Sequence, residues 1–167
     1  FKVVTTAAAL RMTKLARFLT QQGHDVRVLT AANLPLAATL KEELAPEKVI
    51  ATRWLNMNAL PELLFGGRKK IAQTGYSGAA RKGIVKRLGY WYQVLVHYPD
   101  EMAGWAPFAR RAGEKLLRAW TPDLIYCTGK PFSSYGIAQH LAKRVGVPWV
   151  AELRDLWTDN HDYAYPG

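Results

Sequence analysis

Two short stretches hold the residue types that chemistry needs. The first is Gly129-Lys130-Pro131-Phe132-Ser133-Ser134, which leads from an apolar strand pattern into a helical one. In a parallel α/β sheet this position is the carboxyl edge, where ligands bind. The start of a helix has N–H groups with no partner inside the helix, so it can receive an anion. Ser133 or Ser134 can cap it. The alternative is a plain capped turn, with Pro131 and Phe132 as packing. The second stretch is Arg154-Asp155-Leu156-Trp157-Thr158-Asp159-Asn160, after the next strand and at the same edge. A carboxylate such as Asp155 can orient or deprotonate a substrate hydroxyl when its pKa and reach are right. Arg154 can meet phosphate through two parallel hydrogen bonds. The alternative is an Arg154–Asp155 ion pair that supports the loop. Asp155 is thus the candidate catalytic residue. Gly129, Lys130, Ser133, Ser134, Arg154, Asp159 and Asn160 are candidates for binding substrate.

Other chemistry-bearing residues are fewer. Arg11 heads the first helix, where its charge can reach a phosphate, although exposed helical arginines are common. Glu152 lies inside a strand and faces either a cleft or the sheet. Asp159, His161 and Asp162 match no established metal-ligand spacing, so a solvated loop is the better reading and no metal is expected. His24, His97 and His140 read as surface residues. Cys127, the one cysteine, sits in an apolar strand and reads as a small core residue.

The elements that must position these residues follow from periodicity. Residues 2–5 form a short β-rich run. Residues 7–22 read as a helix, with Met12, Leu15, Ala16 and Leu19 on one face and Arg11, Lys14 and Arg17 elsewhere. Gly23 stands where a helix C-terminal glycine belongs. Residues 26–29 and 49–52 read as strands. Met102, Trp105, Ala109, Ala112, Leu116 and Trp120 recur at helical spacing as one buried stripe. Residues 124–127 form an apolar strand. Residues 135–145 form a helix with Ile137, Leu141 and Val145 inward, and Gly146 stops it. Residues 149–152 form the next strand. Strand and helix in alternation with short loops predict right-handed βαβ units: an α/β fold with a parallel sheet, helices on both faces and a single domain.

Charge says more about partners than about fold. The 167 residues hold 23 Lys and Arg against 13 Asp and Glu, a net of +10. Nucleic acid, an anionic membrane surface and phosphorylated substrates are all open to such a chain. No uninterrupted apolar run is long enough to span a bilayer, and no secretory signal opens the chain. A lone cysteine fits a reducing compartment. Residues 63–99 contain no acidic residue, yet hold Arg68, Lys69, Lys70, Arg81, Lys82, Lys86 and Arg87. Five glycines interrupt the first half, and Tyr90-Trp91-Tyr92 stands in the second. Such a stretch suits an anionic membrane surface, where each basic residue adds on the order of 1 kcal/mol, with Trp91 at headgroup level. The alternative is a solvated basic surface with aromatic core contacts.

Residues 122–160 resemble the amino-terminal domain of family 4 glycosyltransferases, the glycosyltransferase subfamily 4-like domain. The likeness rests on Pro122-Asp123-Leu124-Ile125-Tyr126, Pro131-Phe132-Ser133-Ser134, Leu141-Ala142, Gly146-Val147-Pro148 and Arg154-Asp155-Leu156-Trp157. Near the start, Arg11, Leu15-Ala16, Leu19, Gly23-His24, Val26, Val28 and Thr30 fit the same pattern. The resemblance implies a Rossmann-like, three-layer half of a GT-B enzyme that holds the acceptor. A carboxy-terminal half with paired glutamates would hold most of the donor. It implies a nucleotide-sugar as co-substrate with no other cofactor, a glycan or lipid-linked acceptor, and retention of anomeric configuration. It implies polysaccharide biosynthesis in the cytoplasm, at the inner membrane face.

Two departures stand out. Thr5-Thr6-Ala7-Ala8-Ala9 joins the first strand and helix where relatives carry a glycine-rich loop, which points to a segment missing there. Arg154 stands where many relatives have histidine. The chain therefore reads as residues 1–167 of a longer enzyme, inactive as a fragment. A nucleic-acid module is the rival reading, but the chain lacks an RNA-binding aromatic motif or zinc ligands. Another GT-B-like enzyme, such as a nucleotide-sugar epimerase, is a third.

Overall fold

The segments with helical and strand periodicity become three α-helices and four short strands among the described residues. The structure is a computed structural model, and it describes residues 7–32, 44–57, 91, 98–129 and 131–154. In chain order these are α1 (Ala7–Gln21), β1 (Val28–Ala31), β2 (Val49–Thr52), α2 (Ala106–Leu117), β3 (Ile125–Thr128), α3 (Ser133–Val145) and β4 (Trp149–Glu152). Single 3-10 turns, Pro46–Lys48 and Ala103–Trp105, lead into β2 and α2. Beta1 pairs with β2 and β3 with β4, both parallel. Val28 stands opposite Val49, and Ile125 opposite Trp149. The expected α/β class with parallel strands is what the chain adopts, but among the described residues the strands form two separate two-stranded sheets rather than one. The expected strand at residues 2–5 lies outside the described residues.

The helix stops follow from backbone stereochemistry. Gly23 takes φ +90° after α1 and Gly146 φ +75° after α3, a region that L side chains avoid. At the first stop, His24 N–H donates to Leu19 O at 3.1 Å and Gly23 N–H to Thr20 O at 3.1 Å. This pair of bonds satisfies carbonyls that the helix end would leave orphaned. Lys143 and Arg144 in the last turn of α3 oppose the negative end of its dipole.

The core forms where α2 and α3 lie on the strands. One cluster joins Ala31, Trp54, Trp105, Ala109, Ile137 and Leu141, and a second joins Cys127, Phe132, Tyr135 and Ala138. Ile125 packs against both. Cys127 is thus the core residue expected. Its thiol is pushed up to about 11 by burial, so it stays protonated at neutral pH. Trp105 lies in the core and donates its indole N–H to Thr52 Oγ1 at 2.7 Å.

Several boundaries differ from expectation. Beta1 is shifted by two residues, since its pairing with β2 runs from Val28, opposite Val49, to Ala31, opposite Thr52. Beta3 is shifted by one. Residues 102–105 lie outside the α-helix, and Trp120 lies beyond its end. Alpha3 begins two residues early, for a reason given below. His140 is half-buried and bonds Glu114 of α2 at 2.7 Å, which holds the Glu114 carboxyl below its usual range.

Asp25 ties the amino ends of the strands together. It accepts from Lys48 Nζ, from Arg27 Nη2 at 3.3 Å and from Trp120 Nε1 at 2.9 Å. The Arg27 guanidinium also lies over the Trp120 ring, 5.8 Å from its centroid. The Lys48 bond, with Arg27 behind it, lowers the Asp25 pKa. A carboxyl with a depressed folded pKa stabilises the fold above its unfolded pKa. That contribution is lost as pH falls through the folded value. Asp25→Asn should therefore lower the melting temperature at pH 7 and flatten its decline below about pH 4. Thermal melts from pH 7 to pH 3 measure both effects.

Candidate functional site

Because β3 and β4 are parallel, the chain leaves both at the same edge. The last residue of β4, Glu152, joins the two exits. Its carbonyl accepts the Gly129 N–H at 3.1 Å and the Tyr135 hydroxyl at 2.8 Å. Tyr135 is buried against Phe132, with ring centroids 6.1 Å apart. Burial pushes its phenol above the ordinary value, so it stays a donor at neutral pH. Gly129 is needed for close approach: a Cβ there would collide with Tyr135 Oη and lie 2.9 Å from Cζ.

The Glu152 carboxylate gathers a second set of partners. Arg11 of α1 donates from Nη1 to Oε1, and from Nη2 to Oε2 at 2.6 Å. Arg11 Nη2 also donates to Thr128 Oγ1 at 3.1 Å, and the Tyr126 hydroxyl donates to Oε2 at 2.7 Å. The Tyr126 bond, then those of Arg11 and Thr128, hold the Glu152 carboxyl at about 2. Desolvation, then the bond to Glu152, pushes Tyr126 up to about 12. At neutral pH Glu152 is therefore a carboxylate and Tyr126 a neutral phenol.

The start of α3 is already supplied with acceptors. Asp100 Oδ2 accepts the Ser133 N–H at 3.1 Å, and Oδ1 accepts the Ser133 hydroxyl at 2.5 Å and the Met102 N–H at 2.9 Å. The N–H groups of Ser134 and Tyr135 go to Pro131 O and Phe132 O, at 3.2 and 3.0 Å. The Ser134 hydroxyl lies 2.7 Å from Pro131 O and 3.1 Å from Thr128 O. Neither serine caps the helix through its side chain. Asp100, 33 residues upstream of Ser133, supplies the cap instead, and a negative group at a helix start is favourable. This is why α3 begins early, and why its end is not an open anion cradle.

The edge thus brings together Arg11, Gly129, Ser133, Ser134 and the exposed Arg154. Lys130, Asp155, Asp159 and Asn160 lie outside the described residues. So do Arg68, Lys69, Lys70, Arg81, Lys82, Lys86 and Arg87, while Trp91 is described and is 49% exposed. Sequence reasoning missed Asp100, Tyr126 and Tyr135 and left Glu152 undecided. Strand alternation was the usable signal, since Tyr126, Thr128 and Glu152 share a face once Thr128 stands opposite Glu152. Nothing in the sequence marked Asp100.

A depression of about 190 Å³ lies beside Asp100, lined by Tyr98, Pro99, Ala103, Ala106, Arg110, Ser133 and Gly136. It borders the edge through Ser133 and does not include Arg11 or Glu152. Among the described residues, no group of three or more His, Cys, Asp or Glu is placed to hold a metal ion. No helix among them is long and apolar enough to cross a membrane.

The family model of the glycosyl transferase 4-like domain matches residues 6–166. The chain belongs to that family. No curated protein and no solved structure matches it. As a glycosyl transferase 4-like domain it is a glycosyltransferase domain, with a sugar donor and an acceptor as its substrates. Its Rossmann-like class accords with the parallel pairs, whose shared carboxyl edge is where such folds bind ligands.

The contact between Gly129 and Tyr135 gives a direct test of how this edge is built. Gly129→Ala should destabilise the fold by about 1–3 kcal/mol through overpacking. Adding Tyr135→Phe removes the colliding oxygen and should recover part of that loss. Urea unfolding of both single variants and the double variant measures the coupling.

Proposed function

We propose that this chain is the acceptor-side half of a two-domain GT-B enzyme, and that a carboxy-terminal half holds most of the nucleotide-sugar donor. The enzyme moves the sugar to a hydroxyl of a glycan or lipid-linked acceptor, with retention of anomeric configuration. The nucleotide-sugar is a co-substrate, and no other cofactor is called for. The family match across residues 6–166 carries this reading. The shared carboxyl edge of β3 and β4, with Arg11 and Arg154 on it, supports it.

In the reaction, the acceptor oxygen forms a bond to the anomeric carbon. The bond from that carbon to the diphosphate oxygen breaks, and its electron pair leaves with the nucleoside diphosphate. The acceptor proton passes to a nearby base. Asp155, the residue after Arg154, orients or receives that proton. Arg11 and Arg154 face the charge that grows on the departing diphosphate, the kind of contact that favours a transition state over the ground state. Asp155→Asn in the full-length enzyme should cut turnover by roughly 10²-fold or more while largely preserving donor binding. Steady-state transfer from a radiolabelled nucleotide-sugar, with donor binding measured in parallel, tests this. Wild-type turnover in a folded variant contradicts it.

The acceptor proposal carries a location with it: the cytoplasmic face of a membrane, in polysaccharide biosynthesis. The basic, acid-free residues 63–99 supply the attraction, and the exposure of Trp91 suits a headgroup-level contact. Replacing Arg81, Lys82, Lys86 and Arg87 together by glutamine should weaken binding to vesicles rich in phosphatidylglycerol. Vesicle co-sedimentation reads the effect, and unchanged binding with an intact fold assigns the stretch to ordinary surface.

A further inference from the structure

The proposed role of Arg11 meets an obstacle in the structure itself. A guanidinium offers five N–H donors. Arg11 gives one from Nη1 and one from Nη2 to the two oxygens of Glu152, and the second Nη2 hydrogen to Thr128. The two-pronged end of the group is therefore filled by a carboxylate. The side edge formed by Nε and Nη2 has already given its Nη2 hydrogen to Thr128. No complete fork remains for two phosphate oxygens. A phosphate that binds Arg11 by two parallel bonds must displace Glu152.

We propose that Glu152 is a built-in competitor for the Arg11 fork: it occupies the fork and lowers the affinity of every phosphate that must displace it. This rests on the reading of Arg11 as the phosphate contact. Three observations carry it. The pair is accessible, with side chains 44% exposed for Arg11 and 27% for Glu152, so an incoming anion can reach it. Ion pairs in such settings contribute little net stability, because solvent screens them. Tyr126 donates at 2.7 Å to Glu152 Oε2, the oxygen that also takes Arg11 Nη2, giving the displaced carboxylate a donor to keep.

Protonation does not open the fork. With its carboxyl held at about 2, Glu152 stays ionised across the neutral range. An anion that takes the fork must therefore compete with an ionised Glu152. The apparent affinity of any phosphate is then scaled by the fraction of molecules in which the fork is free.

Isothermal titration of the full-length protein with inorganic phosphate and with pyrophosphate, at fixed ionic strength, tests the proposal. The set is the parent, Glu152→Gln, Arg11→Gln and the double variant, each matched to the parent by near-ultraviolet circular dichroism. Glu152→Ala replaces Glu152→Gln should the latter misfold. Glu152→Gln should bind phosphate and pyrophosphate each roughly two- to fivefold tighter. That gain should vanish in the double variant. Weaker phosphate binding by Glu152→Gln overturns the proposal and makes Glu152 a support for Arg11. A gain that persists without Arg11 also overturns it, leaving a general change of field. If Arg11→Gln leaves pyrophosphate affinity unchanged in both backgrounds, the reading of Arg11 as a phosphate contact fails first.

Discussion

The carboxyl edge depends on Glu152, which serves as an acceptor twice over. Its carbonyl takes the Gly129 N–H and the Tyr135 hydroxyl, so the exits from β3 and β4 are held side by side. Its carboxylate takes Arg11 and Tyr126, so the first helix is tied to the same strand end. A parallel sheet brings its strand ends to one edge but does not fix the loops beyond them. Here one residue does that, with a buried phenol on one side and a guanidinium on the other. An analogous knot lies at the amino ends of the other strand pair, where Asp25 takes Lys48, Arg27 and Trp120. The first knot lies where ligands enter α/β folds and the second where they do not.

Much of the fold was legible because it rests on local physics. The stripe of α1, the stop at Gly23 and the stop at Gly146 are set by helix period and backbone stereochemistry, which need no partner. Strand β4 was read with its observed bounds, since Gly146 and Pro148 immediately before it mark its start. The boundaries that moved did so through distant contacts. Beta1 begins late because its ladder is set by β2, which starts at Val49, opposite Val28 and 21 residues further on. Alpha3 begins early because Asp100 caps it from 33 residues upstream. Periodicity carries no information about such partners.

The site was legible in outline for the same reason. A glycine-led turn after one strand and an Arg-Asp pair after the next mark a shared edge once the strands are parallel. The family match across residues 6–166 is in keeping with that outline. What stayed hidden was how the residues are used. Ser133 reads as a cap, yet its hydroxyl and N–H both go to Asp100. Arg11 reads as an open cation, yet a carboxylate 141 residues away fills its fork. Glu152 could not be assigned a face until the register put it opposite Thr128. These are long-range pairings, and they decide whether a charged residue is available or already engaged.

The central claim is that ligand phosphate is received at this edge rather than at the Asp25 edge or on open basic surface. Chemical-shift mapping of the ¹⁵N-labelled protein with pyrophosphate tests it most directly. The account predicts perturbations at the Arg11 side-chain Nε–H and at the amides of Gly129, Glu152 and Arg154, with Asp25, Arg27 and the Trp120 indole unmoved. Shifts gathered around Asp25, Lys48 and Trp120, with the Glu152 edge silent, would contradict it.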